Sequence, residues 1–157
     1  VGILVTVQPS LAQTQPWMNT ALPPGERANL LLAAMTQAEK LTLVHGGGAS
    51  SYVGHTDPIT RLGIPALNMN DGPGGVGNGK TGVTAFPAPS TRAAAWNASL
   101  AQQYGEAMGQ EFLGKGANVA LAPMMNMDRV PQGGRNWEGY GEDPNSVFMT
   151  KVTTGTL

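Results

Sequence analysis

The twelve residues Gly133-Gly134-Arg135-Asn136-Trp137-Glu138-Gly139-Tyr140-Gly141-Glu142-Asp143-Pro144 put one guanidinium, one carboxamide, two aromatic rings and three carboxylates into a stretch turned by four glycines. Aromatic faces stack on the apolar faces of a hydroxyl-rich ring, and charged groups hydrogen-bond its hydroxyls. The stretch therefore suits a sugar. Glu138, Glu142 and Asp143 are enough for an acid/base pair, since glycoside hydrolysis uses two carboxyl groups across the bond. They equally suit a hydrated loop with Arg135 as counter-charge. Asp71, between Asn70 and Gly72, has the same ambiguity. It is either a ligand-facing carboxylate or a turn-forming Asp bonded to its own backbone.

Other patterns carry less. Gly74 to Thr81 matches the phosphate-loop pattern G-x-x-x-x-G-K-[ST]. Such a loop must open a helix at its Lys-Thr pair. Here Gly82-Val83-Thr84-Ala85-Phe86-Pro87-Ala88-Pro89 follows, a poor helix start, so nucleotide binding is the disfavoured alternative. Gly72, Gly74 and Gly77 also satisfy G-x-G-x-x-G and fail for the same reason. His45-Gly46-Gly47-Gly48 resembles an esterase oxyanion segment, but the chain has no G-x-S-x-G elbow. A helix-ending glycine cluster is the better reading. His45 and His55 read as hydrogen-bonded or surface histidines, Glu111 as a structural hydrogen-bonding residue, and Asn97 as a helix cap within a formal glycosylation sequon.

The elements that must position these groups alternate. Trp17 is a candidate anchor for an N-terminal arm. Pro23-Pro24 start a helix that runs to Met35 with Leu30, Leu31, Ala34 and Met35 on one face. Thr36-Gln37-Ala38-Glu39 is a capping box for a second helix carrying Leu41, Leu43 and Val44. Ile64 to Met69 reads as a strand ending at Asn70-Asp71, followed by a long Gly/Pro-rich loop. A helix is predicted from Ser99 to Leu113, with Leu100, Tyr104, Ala107, Met108 and Phe112 facing the core. Val119 to Ala122 is a second strand, the stretch from Pro123 to Pro144 a second long loop, and Asn145 to Leu157 a helix start. This order predicts an α/β fold with a parallel sheet, and both long loops leave the C-terminal ends of strands, where such folds place their sites.

The bulk composition is consistent with that reading. The chain has 157 residues, formal charge −1, 22 glycines, 12 prolines and no cysteine. Disulfides and thiolate metal sites are excluded. No basic block or acidic tail argues for nucleic acid or for a membrane surface. Val1 to Val7 is apolar, and Ser10 and Ala12 fit a cleavage after Ala12. Residues 1–12 are therefore expected to be the remainder of a signal peptide, and the chain a piece of a secreted or periplasmic protein.

At the two loops the chain resembles glycoside hydrolase family 3, the β-glucosidase family. The resemblance runs through Pro16-Trp17, Met35 to Lys40, Gly63-Ile64-Pro65 and Asn70-Asp71-Gly72-Pro73. It continues in Phe86 to Pro89, Ala94 to Asn97, Gly105, Gly109-Gln110-Glu111 and Gly114-Lys115-Gly116. It ends with Asn118 to Pro123, Asn126, Arg129 and Gly133 to Pro144. The resemblance implies that 13–157 is the N-terminal part of a (β/α)8 barrel of the TIM type, truncated, since a whole barrel takes about 250 residues. It implies a retaining, exo-acting mechanism on terminal β-D-glucosyl residues of β-glucosides and cello-oligosaccharides, with no metal or organic cofactor. The family's nucleophile and acid/base would lie beyond these residues, so this chain alone is expected to be inactive. Asp71 and Arg135 match the family residues that bind hydroxyls of the innermost sugar. One departure is Gly77, where many members have an arginine; Lys80 is a candidate substitute. A β-xylosidase or other exo-glycosidase of the family is the alternative.

Overall fold

The computed structural model describes residues 15–145. The expected signal segment, and all but Asn145 of the expected last helix, lie outside the described residues.

Trp17 anchors the N-terminal arm as expected. It lies in the 3-10 turn Pro16–Met18, and its buried indole N–H donates to the Leu62 carbonyl at 3.2 Å. Arg27 Nε donates back to the Trp17 carbonyl at 2.7 Å. Helix α1 (Pro24–Ala34) begins with proline in its first turn, where the missing N–H costs nothing. Helix α2 (Gln37–His45) starts at the predicted capping box, with Glu39 N donating to Thr36 Oγ1 at 3.2 Å and Thr36 N to Glu39 Oε2 at 2.8 Å. Gly46, at φ 79°, ends it in a conformation that other residues avoid. Of the three apolar residues it carries, Leu43 packs on the cluster of Trp17, Met35, Ile59 and Leu62. Leu41 and Val44 are exposed.

Three strands form one sheet in the order β1 (Gly54–His55), β2 (Asn68–Asp71), β3 (Val119–Leu121). The β2–β3 pair is parallel, as the alternation predicted, with Met69 opposite Val119, Asn70 opposite Ala120 and Asp71 opposite Leu121. The sheet is nevertheless mixed, because β1 pairs antiparallel with β2. Two residues are too short a run for periodicity to mark. The strand expected from Ile64 begins only at Asn68, because Ile64 bridges back to Ile59 across the 3-10 turn Thr60–Leu62.

Two helices fill the crossover from β2 to β3. Helix α3 (Pro89–Ala93) was not predicted; five residues give barely more than one turn of pattern. Helix α4 (Ala98–Gly114) is capped by Asn97 Oδ1, which accepts from Leu100 N at 3.1 Å. Tyr104, Met108 and Phe112 recur every fourth residue and pack with Val76 and Ala117 as the main core. Leu100, expected on that face, is exposed, and Ala101 is buried against Ala93 and Tyr140 instead. No helix among the described residues is long and apolar enough to cross a membrane.

Candidate functional site

Asp71 ends β2 and opens the first loop. Gly77 N donates to the Asp71 carbonyl at 2.9 Å, and the buried Asn70 returns Nδ2 to the Gly77 carbonyl at 2.9 Å. These bonds close residues 71–77 into a compact bend with the Asp71 side chain on its exposed side. Gly72 is glycine for lack of space, since a Cβ there would lie 2.5 Å from Phe112 Cζ. Next to it, the Pro73 carbonyl accepts from Arg92 Nη2 and from the Tyr104 hydroxyl, each at 2.8 Å. Further along, Thr84 N donates to Glu111 Oε1 at 2.9 Å and Lys115 Nζ to the Thr81 carbonyl at 2.8 Å. Glu111 thus has the structural role its helical setting suggested.

The second loop leaves β3 through a cis Ala122–Pro123 bond. Asp128 and Gly141 exchange bonds, Asp128 N to the Gly141 carbonyl and Gly141 N to Asp128 Oδ2, both at 3.2 Å. The segment closed by that pinch contains the 3-10 turn Asn136–Glu138, which packs against α3. Arg135 lies just before this turn and meets Glu138 through two bonds, Nε to Oε1 and Nη2 to Oε2, both at 2.7 Å. This bidentate pair fixes both the guanidinium plane and its charge. The Glu138 side chain is 11% exposed and that of Arg135 77%. The carboxylate is therefore the buried base and the guanidinium the part that faces outward. Hydrogen bonds from Arg135 hold the Glu138 carboxyl below the ordinary carboxylate range. Hydrogen bonds to Glu138, then its charge, and in smaller part the charge of Asp71, raise Arg135 above its usual value.

The two loops contribute to one site, with Pro73 of the first and Arg135 of the second in the same wall. Between them is an open depression of about 380 Å³ lined by Pro73, Leu121, Pro123, Met124, Asn126, Arg135 and Glu138. It lies at the C-terminal ends of the paired parallel strands. The Arg135 guanidinium, which only donates, lines it, and Pro73 in its wall comes two residues after the exposed Asp71; such groups orient hydroxyls but break no bond. The acid/base reading of the second loop gains nothing from the geometry. Glu138 is held by Arg135, Asp143 Oδ1 accepts from Asn145 N at 2.6 Å, and Glu142 is exposed.

The remaining sequence candidates fall elsewhere. His55 Nε2 lies 3.3 Å from Asp57 Oδ1. Lys80 Nζ donates to Ser51 Oγ at 3.0 Å and sits 3.9 Å from the Tyr52 ring centroid. The residues after Thr81 form no helix until α3, as the objection to a phosphate loop anticipated. Gly77 adjoins the site: a Cβ there would lie 3.4 Å from Asp71 Cβ. Among the described residues no cluster of three His, Cys, Asp or Glu side chains could hold a metal ion. Sequence reasoning missed Arg92, which is buried beneath the first loop. Its only signal was a lone charge running into Ala93-Ala94-Ala95.

Residues 37–155 match the glycosyl hydrolase family 3 N terminal domain. The β-glucosidase cel3A of Pyricularia oryzae is 42% identical over 121 residues, which is 75% of this chain and 16% of that protein. β-Glucosidase A of Aspergillus kawachii is 43% identical over 135 residues, 83% of this chain and 16% of that one. β-Glucosidase 3B of Thermotoga neapolitana, solved with α-D-glucose, superposes with a TM-score of 0.74 at 34% identity, covering 83% of this chain and 21% of its own. β-Glucosidase D2-BGL of Chaetomella Raphigera gives a TM-score of 0.75 at 34% identity, with coverages of 83% and 18%. The chain thus spans about one sixth of the length of the curated relatives it matches. With the family's domain covering most of its length and solved members sharing its backbone, this chain belongs to glycoside hydrolase family 3.

Proposed function

We propose that this chain supplies the sugar-gripping N-terminal part of a retaining, exo-acting β-glucosidase that releases terminal β-D-glucose from glucosides and short oligosaccharides. The observation that carries this reading is the depression at the C-terminal ends of the parallel strand pair, walled by Pro73 of the loop that Asp71 opens and by Arg135 and Glu138 of the second loop. Asp71 accepts from two hydroxyls of the innermost sugar, and Arg135, held in plane by Glu138, donates to others. Together they fix the ring before attack. The relatives and solved neighbours named above, β-glucosidases throughout, support glucose as that sugar.

In this reading the parallel pair is the start of a (β/α)8 barrel. The Asp nucleophile and the acid/base carboxyl come from residues outside this chain. Residues 1–12 are an export signal, which makes the enzyme secreted or periplasmic, and 13–157 belong to the barrel domain.

The test is a panel of nitrophenyl β-D-glucoside, β-D-xyloside and N-acetyl-β-D-glucosaminide on the full-length protein. The glucoside is expected to have the highest kcat/KM. A preference for the xyloside would move the protein to the β-xylosidase branch, and no turnover of any of the three would overturn the reading.

A further inference from the structure

Two charged side chains are buried among the described residues, Glu138 and Arg92. Glu138 has its cation. Arg92 lies on α3 with 7% of its surface exposed. Its Nη2 donates to the Pro73 carbonyl at 2.8 Å, the same oxygen that accepts from the Tyr104 hydroxyl at 2.8 Å. The guanidinium carbon lies 3.2 Å from the Tyr104 ring centroid and 5.7 Å from that of Tyr140. Nε and Nη1 are buried without a hydrogen-bond partner among the described residues.

A buried guanidinium with idle donors is a poor way to fill space. An apolar side chain of similar volume avoids the desolvation. What the apolar side chain lacks is the donor to Pro73 and the planar charge between two rings. The places joined are the informative part. Pro73 comes two residues after Asp71, and Tyr140 two residues after Glu138. Pro73 also stands in the wall of the depression beside Arg135 and Glu138. The first loop is already closed on itself by Gly75 N to the Gly72 carbonyl and Gly77 N to the Asp71 carbonyl. Those bonds set its shape but not its position against the second loop.

We infer that Arg92 is a positioning residue that couples the two sugar-facing loops, holding Pro73, and through it Asp71, in place against the Tyr140 end of the loop that carries Arg135. The inference rests on the reading of Asp71 and Arg135 as the sugar grip. Without Arg92 the first loop keeps its internal bonds and shifts as a unit. The loss therefore shows in sugar affinity, out of proportion to any loss of fold.

The test uses the full-length enzyme with Arg92→Met, Arg92→Lys and Tyr104→Phe. The last removes the hydroxyl that bonds the Pro73 carbonyl and the Met108 sulfur, and leaves the ring. KM for nitrophenyl β-D-glucoside, the inhibition constant of glucose, kcat and the melting temperature are measured for each. Arg92→Met is expected to raise KM and the glucose constant together by about tenfold with kcat within about threefold, the pattern of lost binding rather than lost chemistry. Arg92→Lys, which keeps a donor and a charge, is expected to recover part of that. Should Arg92→Met fail to fold, the other two variants decide. KM and the glucose constant rising together by more than about twofold in either supports the coupling. Both constants within that limit in both variants overturn it, whatever the melting temperatures do. A wild-type enzyme without glucosidase activity would instead sink the underlying reading, a result distinct from the first.

Discussion

Arg135 gives two of its N–H groups to Glu138 and keeps the rest on an exposed guanidinium. A guanidinium carries five such donors, so three remain for a ligand in a fixed plane. The acceptor proposed to share the sugar with it is Asp71, at the end of β2. Asp71→Asn in the full-length enzyme is expected to lower kcat/KM for nitrophenyl β-D-glucoside by about 100-fold, or about 2.7 kcal/mol, because it removes a charged acceptor. A loss of less than about threefold would take Asp71 out of the site. Glu138 gives a pH signature. Its carboxyl is depressed below 4.5 by Arg135, so the tether is whole above that pH and is lost only as pH falls through the depressed value. The wild-type KM is expected to stay flat through pH 4.5 and to rise below it. In Glu138→Gln the KM is expected to be raised about three- to tenfold and to be flat across the same range, since a neutral amide holds the guanidinium less firmly and does not titrate. A pH series of KM for both proteins checks this.

At the scale of elements, the capping box joins helix entry to a tertiary contact. Glu39 serves the Thr36 backbone N–H and also takes Arg61 Nε at 3.0 Å and Nη2 at 2.7 Å. Arg61 first, then Thr36, brings the Glu39 carboxyl down to about 2 from 4.5. A depressed carboxyl stabilises above its unfolded value, and that share is lost as pH falls from 4.5 towards about 2. Thr36→Ala is expected to cost about 1 kcal/mol at neutral pH. Its deficit in urea denaturation is expected to narrow through that acid window. Close approach sets a second case. Gly72→Ala is expected to cost about 1–3 kcal/mol by overpacking against Phe112. Gly77→Ala is expected to stay within about 0.5 kcal/mol, because its nearest neighbour is 3.4 Å away. Melting the two variants side by side separates a glycine kept for space from one kept for other reasons.

At the scale of the molecule, β3 has a paired neighbour on one side only among the described residues, and Leu121 at its end is 43% exposed. Leu113 and Trp96, on and before α4, are exposed by 79% and 61%. An open strand edge beside apolar side chains invites pairing with other chains. The 157-residue chain expressed alone is therefore expected to self-associate and to turn over no nitrophenyl glucoside. Light scattering across a concentration series and an assay free of host glycosidase check the two halves of that prediction. A monodisperse monomer with one cooperative melt would show that the unit folds without covering these surfaces.

Local chemistry in the sequence determined α1, the capping box of α2, the Asn97 cap and the Tyr104–Met108–Phe112 stripe, because each depends on residues within a few positions of one another. The order of motifs determined the family and marked Asp71 and Arg135. Tertiary structure decided the rest. Leu100 and Ala101 exchanged core and surface because α3 and Tyr140 come down on one side of α4. Strand β1 exists only because β2 lies beside it. Glu138, not Asp143, holds Arg135 because the turn Asn136–Glu138 folds that carboxylate back beneath the guanidinium. Arg92 came to lie between the loops because the crossover packs α3 against the turn that follows Arg135. Separation along the chain conceals such pairings, and a site made from two strand ends is assembled only when the parallel pairing brings those ends together.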